Sequence, residues 1–115
     1  LPATAAGFSA FVELVPELDT LHLSGQTITS EWMTSVGKLP GMGYLVLIDT
    51  GIDDAGLLPL RPLPIWYLRL SGAAKLTDAA IPTLKTFGKL NGVLTDGTGI
   101  SPAGRAGLDA FYRSR

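Results

Sequence analysis

One spacing governs what this chain can fold into. Four short apolar runs follow one another: Leu18-x-x-Leu21-x-Leu23, Met42-x-x-Leu45-x-Leu47, Ile65-x-x-Leu68-x-Leu70 and Leu90-x-x-Val93-x-Thr95. Their central residues, Leu21, Leu45, Leu68 and Val93, are 24, 23 and 25 residues apart. Alternating apolar residues over so short a run read as a strand with one buried face. A fixed period in the range of roughly 20–50 residues marks stacked units, each too small to bury its own apolar face alone.

The remainder of each unit is equally regular. A turn ends in one apolar residue, Ile28, Ile52, Leu76 or Ile100, and is followed by Thr29, Asp53, Thr77 or Ser101. All four are types whose side-chain oxygen can accept from the first free N–H groups of a helix. Ser101-Pro102 adds a proline at the first helical position. Met33, Val36 and Leu39, then Leu57, Leu60 and Leu63, then Ile81, Leu84 and Phe87 lie five, eight and eleven residues beyond the apolar turn residue. That spacing suits a short α- or 3₁₀-helix with one buried stripe. Pro16, Pro40 and Pro64 stop the helix ahead of the next strand, and Gly88-Lys89 does so before the fourth.

The expected organisation is a partial repeat at 1–17 and full repeats at 18–41, 42–64, 65–89 and 90–115. In the partial repeat, Ala3 to Phe8 matches Ile52 to Leu57, and Phe11 and Leu14 match Leu60 and Leu63. The chain thus opens on the helical half of a unit and reads as the C-terminal part of a longer protein, with an apolar stack edge of Phe8, Phe11 and Leu14 at its start. In the last unit Arg105 falls where Met33, Leu57 and Ile81 are apolar, and Tyr112-Arg113-Ser114-Arg115 ends the stripe with charge. Such polar intrusions are expected of a terminal unit.

Composition narrows the function. With 46% apolar and 17% charged residues the chain is globular. Nine basic against ten acidic residues give a net charge of -1 and no electrostatic drive toward nucleic acid. The absence of cysteine excludes disulfides, thiolate metal sites and a Cys nucleophile, and leaves the compartment open. The longest apolar runs are too short for membrane insertion.

The units resemble leucine-rich repeats, L-x-x-L-x-L-x-x-N-x-L. Gln26, Thr50, Ala74 (after one inserted residue) and Thr98 stand at the Asn position. The pattern is therefore similar to the T/C-type subclass of bacterial arrays and F-box-associated proteins, whose units read L-x-x-L-x-L-x-x-T-x-[IL]-T-D-x-G-L. Ile52-Asp53-Asp54-Ala55-Gly56-Leu57 and Leu76-Thr77-Asp78-Ala79-Ala80-Ile81 come close to it, and the likeness runs from about Ala3 to about Phe111. It implies an α/β leucine-rich repeat arc, a solenoid with a short parallel sheet on the concave face, short helices on the convex face and right-handed crossovers. It implies an architecture and no active site. Without an Asn ladder, Thr50 and Thr98 are expected to satisfy one or two turn groups each. Ala73-Ala74-Lys75, at the insertion, is expected to be the loosest part of the convex edge.

Strand alternation assigns the open face. Thr20, Tyr44, Tyr67 and Gly92 form one row, His22, Val46, Arg69 and Leu94 a second, and Ser24, Ile48, Ser71 and Asp96 a third. Tyr44 and Tyr67 are expected side by side, with Val46 and Ile48 as exposed aliphatics and Arg69 as a fixed cation. Tyr and Arg are enriched where interfaces concentrate binding energy, although strands favour aromatic and β-branched residues regardless of function.

Other chemistry is thin. His22 shares a face with Ser24, but the carboxylate of Asp96 lies three strands away, so no catalytic triad is expected. Asp49, Asp53 and Asp54 are dense enough to suggest calcium, but Asp53 stands at a cap position and Asp54 at a helix start, which explains both without a metal. Asp96-Gly97-Thr98-Gly99 lacks the Lys and helix of a phosphate loop. Trp32 and Trp66 are expected as partly buried packing residues. The expectation is a non-enzymatic, cofactor-free protein–protein interaction module contacting its partner through Tyr44, Tyr67, Arg69, Val46, His22 and Ile48. The alternative is a structural spacer or terminal unit of a larger array. Self-association through the N-terminal repeat edge is expected if Phe8, Phe11 and Leu14 do not pack down on the first full unit.

Overall fold

The computed structural model describes residues 3–114. They form a mixed α/β structure around a four-stranded parallel sheet in the order β1-β2-β3-β4. The elements are α1 (Ala5–Leu14), β1 (Thr20–Ser24), α2 (Ser30–Val36), β2 (Tyr44–Ile48), a 3₁₀-helix (Asp54–Leu60), β3 (Tyr67–Arg69), a 3₁₀ turn (Asp78–Ala80) leading into α3 (Ile81–Leu84), β4 (Val93–Leu94) and α4 (Pro102–Arg113). Sequence neighbours are also spatial neighbours. Leu21 pairs with Leu45, Leu45 with Leu68 and Leu68 with Val93, which is the alignment of the units by period.

One core runs the length of the sheet. Leu21, Leu23, Leu45, Leu47, Leu68 and Leu70 are buried, and the helical stripes Met33-Val36-Leu39 and Leu57-Leu60-Leu63 close over them. Val93, expected inside, is only half-buried because β4 is a two-residue edge strand. The three-residue spacing works where the backbone has three residues per turn. In Asp54–Leu60, Pro59 supplies no N–H and clashes with an α-helical carbonyl, so the segment takes the tighter form.

At the N-terminus the same spacing fails. α1 is a true α-helix, in which six residues fall about 120° short of two whole turns. Phe8 and Val12 are buried while Leu14 is 78% exposed, correcting the expected Phe8-Phe11-Leu14 stripe. Phe8 does pack down on the first full unit, its ring 4.9 Å from that of Trp32, and Phe11 is half-buried. Trp32 is thereby 3% exposed, a packing residue as expected. α4 behaves likewise. Leu108 and Tyr112 are buried and Arg105 is exposed. Tyr112, read from sequence as part of the polar tail, donates its hydroxyl to the Leu84 carbonyl at 2.9 Å.

The helix starts are joined to one another. Thr4, Asp53, Thr77 and Ser101 accept from N–H groups of their own first turns, whereas Thr29 makes no side-chain cap bond. Ser30 instead turns to the next unit, donating to Asp53 Oδ1 at 2.7 Å and accepting from the Asp53 N–H. Asp54 accepts from the Thr77 N–H at 2.8 Å and the Thr77 hydroxyl at 2.6 Å, and Asp78 accepts from the Ser101 N–H at 2.7 Å. Each link spans 23 residues, so the carboxylates that favour a helix N-terminus also tie successive units together.

The strand exits are matched as well. Gly25, Gly72 and Gly97 take positive φ, and Asp49 does so in the second unit, with φ of 53°. The Asp49 carboxylate lies over Gly72, where a side chain would collide with it. At the insertion, Ala73 is fully buried and donates to the Leu70 carbonyl, while Leu76 donates to Ala73, so two turn bonds close the chain around the extra residue. Thr98 satisfies two turn groups, donating to the Thr95 carbonyl and accepting from the Ile100 N–H. Thr50 departs from expectation. Its hydroxyl is buried with no partner among the described residues.

Three substitutions test these bonds through stability. Asp54→Ala is expected to lower the unfolding free energy by about 1–2 kcal/mol in urea titrations, because it removes two bonds to a carboxylate. Thr29→Ala, which removes no cap bond, is expected to leave the urea midpoint nearly unchanged. Thr50→Val keeps the shape and removes an orphaned hydroxyl, and is expected to raise stability by about 1 kcal/mol. A decrease would mean that the hydroxyl has a partner.

Candidate functional site

The open face of the sheet brings most of the sequence-selected residues together. Thr20, Tyr44 and Tyr67 pair in register, as do His22, Val46, Arg69 and Leu94, and Ser24 with Ile48. Parallel strands about 4.8 Å apart leave side chains in a row with one another as nearest neighbours. The Tyr44 and Tyr67 rings accordingly stack, with centroids 4.4 Å apart and planes inclined by 12°. Such pairs contribute about 0.5–1.5 kcal/mol beyond their buried area. Both tyrosines are half-buried, as is Ile48, and His22 is exposed on β1 at the sheet edge.

Two assignments on this face need correction. Val46 is only 7% exposed. It is short, and longer side chains surround it: His22 and Arg69 in its row, Tyr44 and Ile48 along its strand. It is the floor of the patch and not a contact residue. Ser71 is buried too, because it bridges two charged neighbours. Arg69 Nε donates to its hydroxyl at 2.9 Å, and that hydroxyl donates to Asp96 Oδ1 at 2.6 Å. The guanidinium is held by one nitrogen, and its two terminal nitrogens have no hydrogen bond to a described residue.

Asp96 records this arrangement. Its pKa is lowered from the ordinary 3.8, chiefly by the Ser71 hydroxyl, with desolvation opposing and its own backbone N–H, Arg69 and Arg105 assisting. Asp96 lies beyond β4, at the opposite side of the sheet from His22 on β1, so the two share no site. The acidic trio is likewise divided among separate tasks. Asp49 covers Gly72, Asp53 caps a helix and Asp54 binds Thr77.

The sequence reading missed a fourth row. Asp19, Gly43, Trp66 and Asn91 precede the strands at equivalent positions and are linked through backbone bonds: Gly43 N–H to Asp19 O, Trp66 N–H to Gly43 O, and Asn91 N–H to Trp66 O. Strand parity would turn Trp66 inward, but the fully buried Ile65 and Leu68 already fill that side. The indole lies outward across Gly43, where a Cβ would sit 2.9 Å from its Cδ1 and Nε1 atoms. Trp66 is 50% exposed, not a packed residue, and its ring meets Tyr44 edge-on at 5.4 Å and Tyr67 at 6.1 Å. The signal lay in the alignment of a glycine in one unit with a tryptophan in the next.

Three aromatic rings therefore form one exposed ridge beside a tethered guanidinium. No described helix is long and apolar enough to cross a membrane. Comparison with protein-family models and with curated proteins returns no match.

The Ser71 bridge has a pH signature. A carboxyl whose folded pKa lies below its unfolded value contributes stability that is complete above the unfolded value and is lost as pH falls through the folded one. The stability difference between the parent chain and Asp96→Asn is expected to be present at neutral pH and to vanish in strong acid, below 3.8. Ser71→Ala is expected to move the Asp96 pKa, followed by NMR titration, back toward 3.8.

Proposed function

We propose that this chain is a leucine-rich repeat arc whose concave sheet face docks a protein partner. The repeat reading is supported by the strand–turn–cap order recurring in register, with inter-unit bonds between helix starts at a constant step of 23 residues. The docking reading rests on one observation: Tyr44, Trp66 and Tyr67 in mutual contact on the open face, next to Arg69 held by Ser71.

This arrangement suits binding energetically. The stacked tyrosines and the bridged arginine have already lost rotamer freedom, so a partner orders little when it docks. Tyr, Trp and Arg are the side chains that dominate binding energy when desolvated. The terminal guanidinium nitrogens can meet a partner's carboxylate, His22 and Ile48 extend the contact surface, and Val46 supports it from below. The spacer reading requires this face to contact nothing specific.

The double substitution Tyr44→Ala/Tyr67→Ala separates the two. Docking predicts a loss of about 2 kcal/mol or more, roughly thirtyfold in affinity, toward a partner isolated by affinity capture. Thermal unfolding should confirm that the variant is folded. Undiminished capture by the folded double variant would refute the docking reading and favour the spacer.

A further inference from the structure

The aromatic ridge has a hollow on each side. Toward β4, an open hollow of about 380 Å³ is walled by Trp66, Tyr67, Asn91, Val93, Leu94 and Asp109. Toward β1, another of about 420 Å³ is walled by Asp19, Gly43, Tyr44, Pro64, Trp66 and Lys89. Trp66 is the partition between them. The first hollow exists because Gly92 follows Tyr67 in its row and carries no side chain. A Cβ there would meet nothing within 4 Å.

The polar groups along this ridge are unengaged. The Trp66 indole N–H, the Tyr44 and Tyr67 hydroxyls and the Asn91 side-chain amide make no hydrogen bond to a described residue. All four can donate, and the indole can only donate. The complementary ligand offers apolar rings to the hollows and carbonyl oxygens that have no partner of their own. A helix does not meet that requirement, because its carbonyls are bonded internally. A strand adds to a sheet edge through its backbone and not to a sheet face.

We propose that the Tyr44–Trp66–Tyr67 ridge binds a proline-rich segment in the polyproline II conformation, with prolines in the hollows on either side of Trp66 and a basic residue opposite Asp109. This deepens the docking reading and rests on it. Polyproline II has no internal hydrogen bonds, and its turns repeat after about 9 Å, wide enough to straddle an indole. Its rigidity limits the ordering cost of binding, and aromatic-lined grooves are its usual receptors. Charge sets the direction. Asp109, exposed on α4, is the only charged residue among the described residues that line the first hollow, while Asp19 and Lys89 balance each other in the second.

The test uses synthetic peptides and the fluorescence of Trp66, with Trp32 buried and away from the ligand. A peptide of the form Pro-Pro-x-Pro-Pro-x-Arg is expected to shift the emission saturably, and its glycine-for-proline analogue is expected to bind at least about tenfold more weakly. Gly92→Leu places its Cβ in open space and its branched end in the first hollow, and is expected to weaken binding by a similar factor at unchanged thermal midpoint. Asp109→Lys, on an exposed position, is expected to reverse the preference from Arg to Glu at the peptide end. No saturation by the proline peptide, or binding indifferent to both Gly92→Leu and Asp109→Lys, would overturn the proposal. So would saturation of the same signal by a neutral glucan oligosaccharide but not by the peptide. If the peptide fails while Tyr44→Ala/Tyr67→Ala still abolishes capture of the native partner, the proline-rich class is wrong and the docking reading stands. If both fail, both are wrong.

Discussion

The structure depends on two sets of ties between successive units. Neighbouring units are tied on the sheet side by parallel strand pairing and on the helix side by hydrogen bonds between successive helix starts. The two layers do not advance equally. Register partners on the sheet side lie 24, 23 and 25 residues apart, while the links of Ser30 to Asp53, Asp54 to Thr77 and Asp78 to Ser101 each span 23, so the connections between the layers take up the difference. The inserted residue near Ala74 falls between β3 and the Thr77 cap, so the turn absorbs it before the next link is made. No single unit has enough apolar surface to fold alone; the core is continuous because each unit's apolar stripe packs against the next.

The candidate site inherits its geometry from the strand register. Tyr44 and Tyr67 stack because their Cα atoms are register partners. Arg69 and Ser71 alternate along the same side of β3 and its exit, which places the guanidinium against the hydroxyl. Ser71 then reaches Asp96 one unit further, in the row where the alternation puts it. Two glycines complete the arrangement by absence of a side chain. Gly43 gives Trp66 a place to lie, and Gly92 leaves the flank of Tyr67 open. The ridge is thus a product of backbone register plus two missing side chains.

This also explains how much could be read from sequence. Inward leucines, strand register, the tyrosine pair and three of the four helix caps after the strands follow from periodicity and short-range chemistry, which the letters carry directly. What escaped depends on packing between units. Asp54 and Asp78 read as helix-start charges, but their partners are 23 residues away. Val46 reads as exposed by parity, yet its taller neighbours cover it. Leu14 aligns with Leu63, but α1 and the Asp54–Leu60 segment have different residues per turn, so equal spacing reaches different faces. Trp66 precedes its strand, where alternation no longer fixes the side, and only the lateral pairing with Gly43 decides it.

In the docking reading proposed above, stability and recognition are carried by different atoms of the same units. The links between units are carboxylates, hydroxyls and backbone groups at the helix starts and strand exits. The ridge is made of rings and donors on the opposite side of the sheet from the core. Tyr44 and Tyr67 are half-buried and Trp66 half-exposed, so little of their surface serves the core, while Leu45 and Leu68 between them are fully buried. The rings on the open face can change without disturbing the register, provided that the positions under and beside the ridge keep room for them. Gly43 and Gly92 are those positions, and they constrain the site more tightly than the aromatic residues they accommodate.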